Sequence, residues 1–268
     1  MLAIIGGTGL SRLAELENFN ADSHESVQTP FADAPVNVEC YSVHDKPLYF
    51  LPRHGAEHSI PPHQINYRAN IWALSKLGVK GIVAINAVGG IHDEMAPGAF
   101  MIPDQLIDYT HGRAATFFEQ DSSAQSESTQ TEATLAQVTH IDFTEPFDAR
   151  VRQLISNAAN SVNSRLTEAR VVLEEGVYAV TQGPRLETAA EIRKLRQEGC
   201  DIVGMTAMPE AALARELELP YASLALSVNW AAGLVPGSIT LDEIRQVVTD
   251  GMHFVGAVIA ECVQATDE

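Results

Sequence analysis

Basic residues are scarce in this 268-residue chain: 17 lysines and arginines stand against 35 aspartates and glutamates, a formal net charge of −18. That balance excludes a broad nucleic-acid or anionic-membrane face, since both need clustered cations. Any anion site must therefore be built locally, against the average field. Cysteine is scarcer still. Cys40, Cys200 and Cys262 form no C-x-x-C pair, and the odd count leaves no closed disulfide set. Reduced, mostly buried thiols in a cytoplasmic protein are expected. No apolar run approaches the ~20 residues of a membrane span. The opening residues Met1 to Gly7 carry no basic n-region, so no secretory signal is expected. Familiar nucleotide and metal signatures are missing too. There is no Gly-Lys-Ser/Thr P-loop, no H-E-x-x-H, and no full dinucleotide glycine fingerprint.

What is present is globular. Hydrophobic residues make up 46% and charged residues 19%. Strand-like and helix-like segments alternate, which predicts an α/β fold: one domain over residues 1–268, a mixed central sheet flanked by helices. Strands are expected at Leu2–Ile5, at 36–51 around a turn at His44–Pro47, at Gly81–Asn86 before a loop at 87–90, at Met101–Tyr109, at Val171–Thr181, at Cys200–Val203 and at Tyr221–Val228. Helical spacing marks Ile65/Ala69/Trp72/Ala73, Phe147 to Val162, 187–198, the segment opened by Met208-Pro209-Glu210, and a long C-terminal helix behind Thr240. The Ser/Thr/Gln-rich stretch 119–139 reads as a mobile surface loop.

Three motifs are suited to binding an anion, and each has an ordinary structural alternative. Gly6-Gly7-Thr8-Gly9 follows a strand; its glycines let N–H groups approach a ligand, or simply form a tight turn. Pro52-Arg53-His54-Gly55 ends another strand, and the arginine fork matches an oxyanion. His58 and His63 lie close by, but Pro61-Pro62 interrupts any shared helix face, so a metal site is not expected. Thr206, in Gly204-Met205-Thr206-Ala207, sits between strand and helix, facing a ligand crevice or capping the helix.

In their order and spacing these pieces resemble the trimeric purine nucleoside phosphorylase and methylthioadenosine phosphorylase superfamily. The resemblance covers AIIGGTGL, PRHGAEHSIPPHQINYRANIWALSKLG, INAVGGI, TQGPRLET and DIVGMTAMPEAALARELELPYASLALS, nearly the whole chain. It implies a phosphate site of Thr8, Arg53, His54, Asn86, Ala87 and Thr206. It places Met205 against the ribose and takes His140 to a neighbouring subunit's site, hence a homotrimer. It implies a purine nucleoside and inorganic phosphate as small-molecule partners, and no metal or organic cofactor.

The base pocket departs from the methylthioadenosine branch. That branch carries two aspartates where this chain has Asn229 and Ala231, and a small hydroxyl residue where it has Glu187. Glu187 and Asn229 are the pair found in 6-oxopurine phosphorylases. A carboxylate accepts from N1–H of a 6-oxopurine, and an amide bonds N7 and O6. Adenine presents a lone pair at N1 instead, a mismatch worth up to ~10⁴-fold in a desolvated site. The alternative for Glu187 is a carboxylate favoured by a helix N-terminus. At the sugar end, Leu241 takes the place of a histidine that meets the ribose 5′-hydroxyl. It packs on a 5′-methylthio group, or is ordinary core. A 6-oxopurine nucleoside with a 5′-methylthio group is thus the expected substrate, with hypoxanthine released. Inosine or guanosine, methylthioadenosine, and non-catalytic nucleoside binding are the alternatives.

Overall fold

The run Leu2–Gly6 forms β1, buried at all five positions, as a strand covered on both faces requires. The computed structural model describes residues 1–118, 139–237 and 239–266. After β1 comes an antiparallel meander of β2 (Phe19–Thr29), β3 (Ala32–Val43) and β4 (Lys46–Pro52). The β3–β4 turn is His44-Asp45, with positive φ at both residues (49° and 62°), the twist a two-residue hairpin needs. Helix α1 (Tyr67–Lys76) is capped by Asn66, whose side chain accepts from the Ala69 N–H. There follow β5 (Gly81–Gly90), β6 (Phe100–Met101), β7 (Gln105–Asp108), α2 (Ala149–Asn163), β8 (Val172–Leu173) and β9 (Val177–Val180). The chain continues through α3 (Ala189–Gln197), β10 (Ile202–Gly204), α4 (Ala207–Glu216), β11 (Tyr221–Trp230) and α5 (Leu241–Ala265). No helix among the described residues is long and apolar enough to cross a membrane.

The expected α/β architecture is present: one mixed sheet of eleven strands, with helices packed on a core that runs from Leu2 to Val263. Several boundaries differ. The meander begins earlier than expected, because β2 carries mostly exposed polar residues and has no apolar alternation to mark it. The strand expected at 101–109 is split by Pro103 into β6 and β7, and that at 171–181 by Gly176 (φ 151°) into β8 and β9. On α1 the fully buried side is Ile71, Ala73 and Leu74; Trp72 is half-buried against Phe31 and Phe117. The stretch 119–138 lies outside the described residues.

The most consequential difference is β5. Residues 87–90, expected to be a loop, stay in the strand. Residues Gly81 to Ala84 pair in parallel with β1, while Gly89 and Gly90 pair antiparallel with β10 on that same side. β11 runs parallel along the other edge throughout. Between Ala84 and Gly89, β5 changes partners. β1 has turned away at Gly6-Gly7 and β10 has not yet joined. A crevice opens at this switch, with Asn86 and Ala87 in it, as open α/β sheets place their ligands. Further along β11 the register shifts between Ser227 and Asn229, a bulge of the kind that re-aims side chains beside a site.

The turn at Gly7 is a close approach of backbone to backbone within the crevice. A Cβ there would lie 2.5 Å from the Ile85 carbonyl oxygen and 3.0 Å from Arg53 Nη1. Gly7→Ala is therefore expected to destabilise the protein by about 1–3 kcal/mol, the usual cost of forced overpacking. Urea denaturation measures it, and an unchanged midpoint would show that the turn can relax around a methyl group.

Candidate active site

The crevice at the β5 switch is a cavity of about 240 Å³. Gly7 and Thr8 of the β1 turn, Arg53 and His54 from the end of β4, and Asn86 and Ala87 of β5 line one part. Met205 and Thr206, between β10 and α4, lie alongside, and Glu187, Asn229, Ala231 and Leu241 complete the other end. Every residue expected from the sequence is therefore brought to one place except His140. That residue is exposed and does not line this cavity within its own chain. A larger cavity of about 370 Å³ meets this one at Glu187; the groups expected to meet phosphate all face the smaller.

Arg53 is 1% exposed and needs a counter-charge. Its Nε and Nη2 donate to the two carboxylate oxygens of Glu210 at 2.8 and 2.7 Å. Its Nη1 donates to the Ile85 carbonyl at 3.1 Å. Burial alone would favour the neutral guanidine, but the charge and hydrogen bonds of Glu210 outweigh it, and the pKa rises above the usual arginine value. Three of the five N–H donors are thus engaged, leaving two for a ligand. Glu210, itself fully buried, also accepts from the Tyr221 hydroxyl at 2.8 Å. Burial and the Glu210 charge push that phenol far above its ordinary pKa, so it stays a donor.

A second chain of hydrogen bonds sets Thr206. Ser223 Oγ of β11 donates to Asn86 Oδ1 at 2.6 Å, and Asn86 Nδ2 donates to Thr206 Oγ1 at 2.9 Å. Thr206 Oγ1 thus accepts from Asn86, and it stands beside the buried Tyr178 side chain. It occupies the N-cap position of α4 but makes no side-chain capping bond, and it lines the cavity.

His54 is 7% exposed, with Nδ1 2.8 Å from the Ile60 carbonyl oxygen. A carbonyl only accepts, so Nδ1 carries the proton and neutral Nε2 is an acceptor. Burial, followed by the neighbouring Arg53 charge, pushes the imidazole down to about 4. The ring also packs on His58 at 4.6 Å. Among the described residues no three His, Cys, Asp or Glu side chains are grouped to hold a metal ion.

At the other end, Glu187 stands ahead of α3 and accepts from Thr181 Oγ1 at 2.6 Å. The helix start is served by others: Thr188 and Glu191 form a complete capping box. Glu187 is not needed as a cap, although its carboxylate still lies directly ahead of the N-cap, where the helix dipole favours it. Asn229, past the bulge, donates one amide N–H to the Trp230 carbonyl at 2.7 Å. Its second N–H and its oxygen remain for a ligand. Leu241 is 69% exposed, so it is not core; it stands at the cavity mouth near Ile239 and Ile244.

Reasoning from sequence missed Glu210 and Ser223. Both had a signal. Glu210 is a lone carboxylate in an apolar helix segment, and a buried arginine requires such a partner. Ser223 is a lone serine inside the otherwise apolar stretch Ala222–Leu226.

The Phosphorylase superfamily matches residues 1–264. A probable S-methyl-5′-thioinosine phosphorylase from Pseudomonas syringae pv. tomato is 48% identical over 98% of both chains. The 6-oxopurine nucleoside phosphorylase of Pyrococcus furiosus is 43% identical over 92% of this chain and 86% of its own. Among solved structures, a methylthioadenosine phosphorylase from Schistosoma mansoni in complex with adenine superposes with a TM-score of 0.86. It is 32% identical and covers 98% of this chain and 90% of its own.

Two predictions rest on this geometry. Glu210→Gln leaves the Arg53 charge buried without a partner and should cost about 3–5 kcal/mol; the double variant Arg53→Met, Glu210→Leu should recover most of that. Chemical denaturation reads both, and a single variant as stable as wild type would contradict the pairing. His54 titrates near 6.5 when unfolded and about 4 when folded. The unfolded chain thus takes up its proton first, and stability falls as pH drops from 6.5 towards 4, by at most about 3 kcal/mol. His54→Asn should flatten the stability profile in that window; a profile parallel to wild type would refute the assignment.

Proposed function

Because the chain belongs to the phosphorylase superfamily, we propose that it splits a 6-oxopurine nucleoside with inorganic phosphate, and that its preferred nucleoside is S-methyl-5′-thioinosine. One observation carries this reading. Glu187, Asn229 and Leu241 converge on the same cavity as Arg53, Asn86 and Thr206. The relatives named for 6-oxopurine and methylthioinosine substrates point the same way.

In this reaction a phosphate oxygen bonds to C1′ as the C1′–N9 bond breaks. The bonding pair goes to the purine, and the proton of hydrogen phosphate is in net transferred to the base. Phosphate accepts from the two free N–H groups of Arg53 and from the Thr206 hydroxyl. Thr8 and the backbone of the β1 turn close over it. Its remaining P–O–H is matched by the His54 Nε2 lone pair. The purine anion gains density at N7 and O6 as it leaves, where Asn229 donates, while Glu187 accepts from N1–H. One such preorganised donor contributes ~10²–10³-fold. No protein group forms a bond to substrate; positioning and charge stabilisation do the work. No metal or organic cofactor has a part in these steps.

At the sugar end Leu241 offers no partner to a 5′-hydroxyl but covers a thiomethyl group, worth about 0.8 kcal/mol per buried methylene-sized unit. Its exposure within one chain leaves room for such a group or for a neighbouring subunit. We assign the protein to purine salvage in the cytoplasm, as a homotrimer in which His140 completes an adjacent site.

Purified protein should release hypoxanthine from methylthioinosine only when phosphate is present, and faster than it releases base from inosine, methylthioadenosine or adenosine. No phosphate-dependent release from any of the four would reject the enzyme assignment and leave nucleoside binding. A preference for methylthioadenosine would reject the roles of Glu187 and Asn229, and one for inosine that of Leu241. The double variant Asn229→Asp, Ala231→Asp should shift preference towards 6-amino bases by ~10-fold or more, since a lost polar match in a closed site costs at least that.

A further inference from the structure

Arg113 appears in none of the roles above, yet its side chain touches the walls of the cavity from behind. Its Nη1 donates to the carbonyls of Met205 and Met208 at 2.8 and 2.5 Å. Its Nη2 donates to the carbonyls of Gln182 and Thr181 at 2.9 and 3.3 Å. Its Nε reaches the Gln182 side-chain oxygen at 3.3 Å. Nη1 also lies 3.3 Å from the Tyr67 hydroxyl, which donates to the carbonyl of Pro62 at 2.9 Å. The guanidinium packs over the Tyr67 ring, 5.4 Å from its centre.

These contacts carry further a junction that the sheet begins. Where β9 and β10 end side by side, the Thr181 N–H and Oγ1 both bond the Gly204 carbonyl, at 2.8 and 3.3 Å. Arg113 ties together the loops that leave those two strands. Thr181 holds Glu187 through its hydroxyl. Met205 precedes Thr206, and Met208 lies two residues before Glu210, the partner of Arg53. Pro62 lines a third wall. Arg53 differs in kind, since its charge is met by a carboxylate. Arg113 is met by carbonyls, an amide oxygen and a phenol, and it forms no salt bridge among the described residues. Its planar fork, rather than its charge, suits this arrangement: one ammonium could not reach both segments at once.

We propose that Arg113 is a positioning residue that fixes the distance between the Thr181–Glu187 wall and the Met205–Thr206 wall, so that base and phosphate are held in register across C1′. The proposal rests on the phosphorolysis reading, and it deepens it.

The test compares the full chain with Arg113→Lys and Arg113→Ala by two measurements. Amide hydrogen exchange should speed up in residues 181–187 and 204–208 together in both variants, while β1 and β11 stay protected. In phosphorolysis of methylthioinosine, kcat should fall ~10²-fold, the cost of a displacement of about 1 Å in a reacting pair, with a smaller change in KM. The preference for 6-oxo over 6-amino nucleosides should shrink. Arg113→Lys should recover little, whereas millimolar guanidinium should partly restore kcat of Arg113→Ala. Lower thermal stability alone, with kcat and the base preference at wild-type values, would overturn the proposal in favour of a structural arginine. So would faster exchange in only one of the two segments. If wild type releases no base from any nucleoside, the phosphorolysis reading fails, and the exchange data still decide whether Arg113 couples the two walls.

Discussion

A charge buried away from water must bring its own partner, and the pairing of Arg53 with Glu210 is how this fold meets that constraint. The pair joins the end of β4 to the first turns of α4, and Tyr221 ties it to the start of β11. The end of β4 is thereby held to the consecutive elements α4 and β11, more than 150 residues further along the chain. The ion pair also settles what the arginine can do. With one edge of its fork on Glu210 and one N–H on Ile85, only a fixed direction of approach remains open to an anion. In a chain with a net charge of −18, such directional donors matter more than the general field, which repels phosphate.

The same economy governs the rest of the crevice. Thr206 accepts from Asn86, and Asn86 is turned that way because Ser223 donates to its oxygen. A hydroxyl can rotate freely in isolation; here two buried neighbours make it an acceptor on that side. His54 follows the same logic with the opposite sign, since a carbonyl claims its proton and leaves a lone pair. The Arg53 end of the cavity therefore sets the His54 lone pair beside the arginine's donors, a mixture of both polarities.

Much of this was legible in the residues. The glycine turn, the Arg53-His54 pair and Thr206 each had a plain structural alternative, and their order along the chain was what united them. The strands expected at Leu2–Ile5 and Tyr221–Val228 were evident because both are largely apolar runs. β2 was not, since an exposed polar strand has no periodicity to read. The extension of β5 through Gly90 was also hidden: glycines at a strand end look like a loop until the antiparallel partner β10 is known. Glu210 and Arg113 escaped notice for a related reason. The lone carboxylate of Glu210 in an apolar helix start was a signal that some partner must exist, but which charge or carbonyls the fold brings beside Glu210 and Arg113 is encoded in no local pattern.

The two ends of the cavity are built from different material. Arg53, Asn86, Glu210 and Ser223 are all at most 2% exposed. They belong to paired strands, to a packed helix or, for Arg53, to the buried turn that directly follows β4. Glu187, Asn229 and Leu241 are only partly covered or exposed, and they stand ahead of a helix, past a bulge and at a helix start. A substitution in the first group disturbs the core, whereas one in the second barely touches it. With the roles proposed above, selection can rewrite which nucleoside is read while the co-substrate stays fixed, and a family built this way can diversify without refolding.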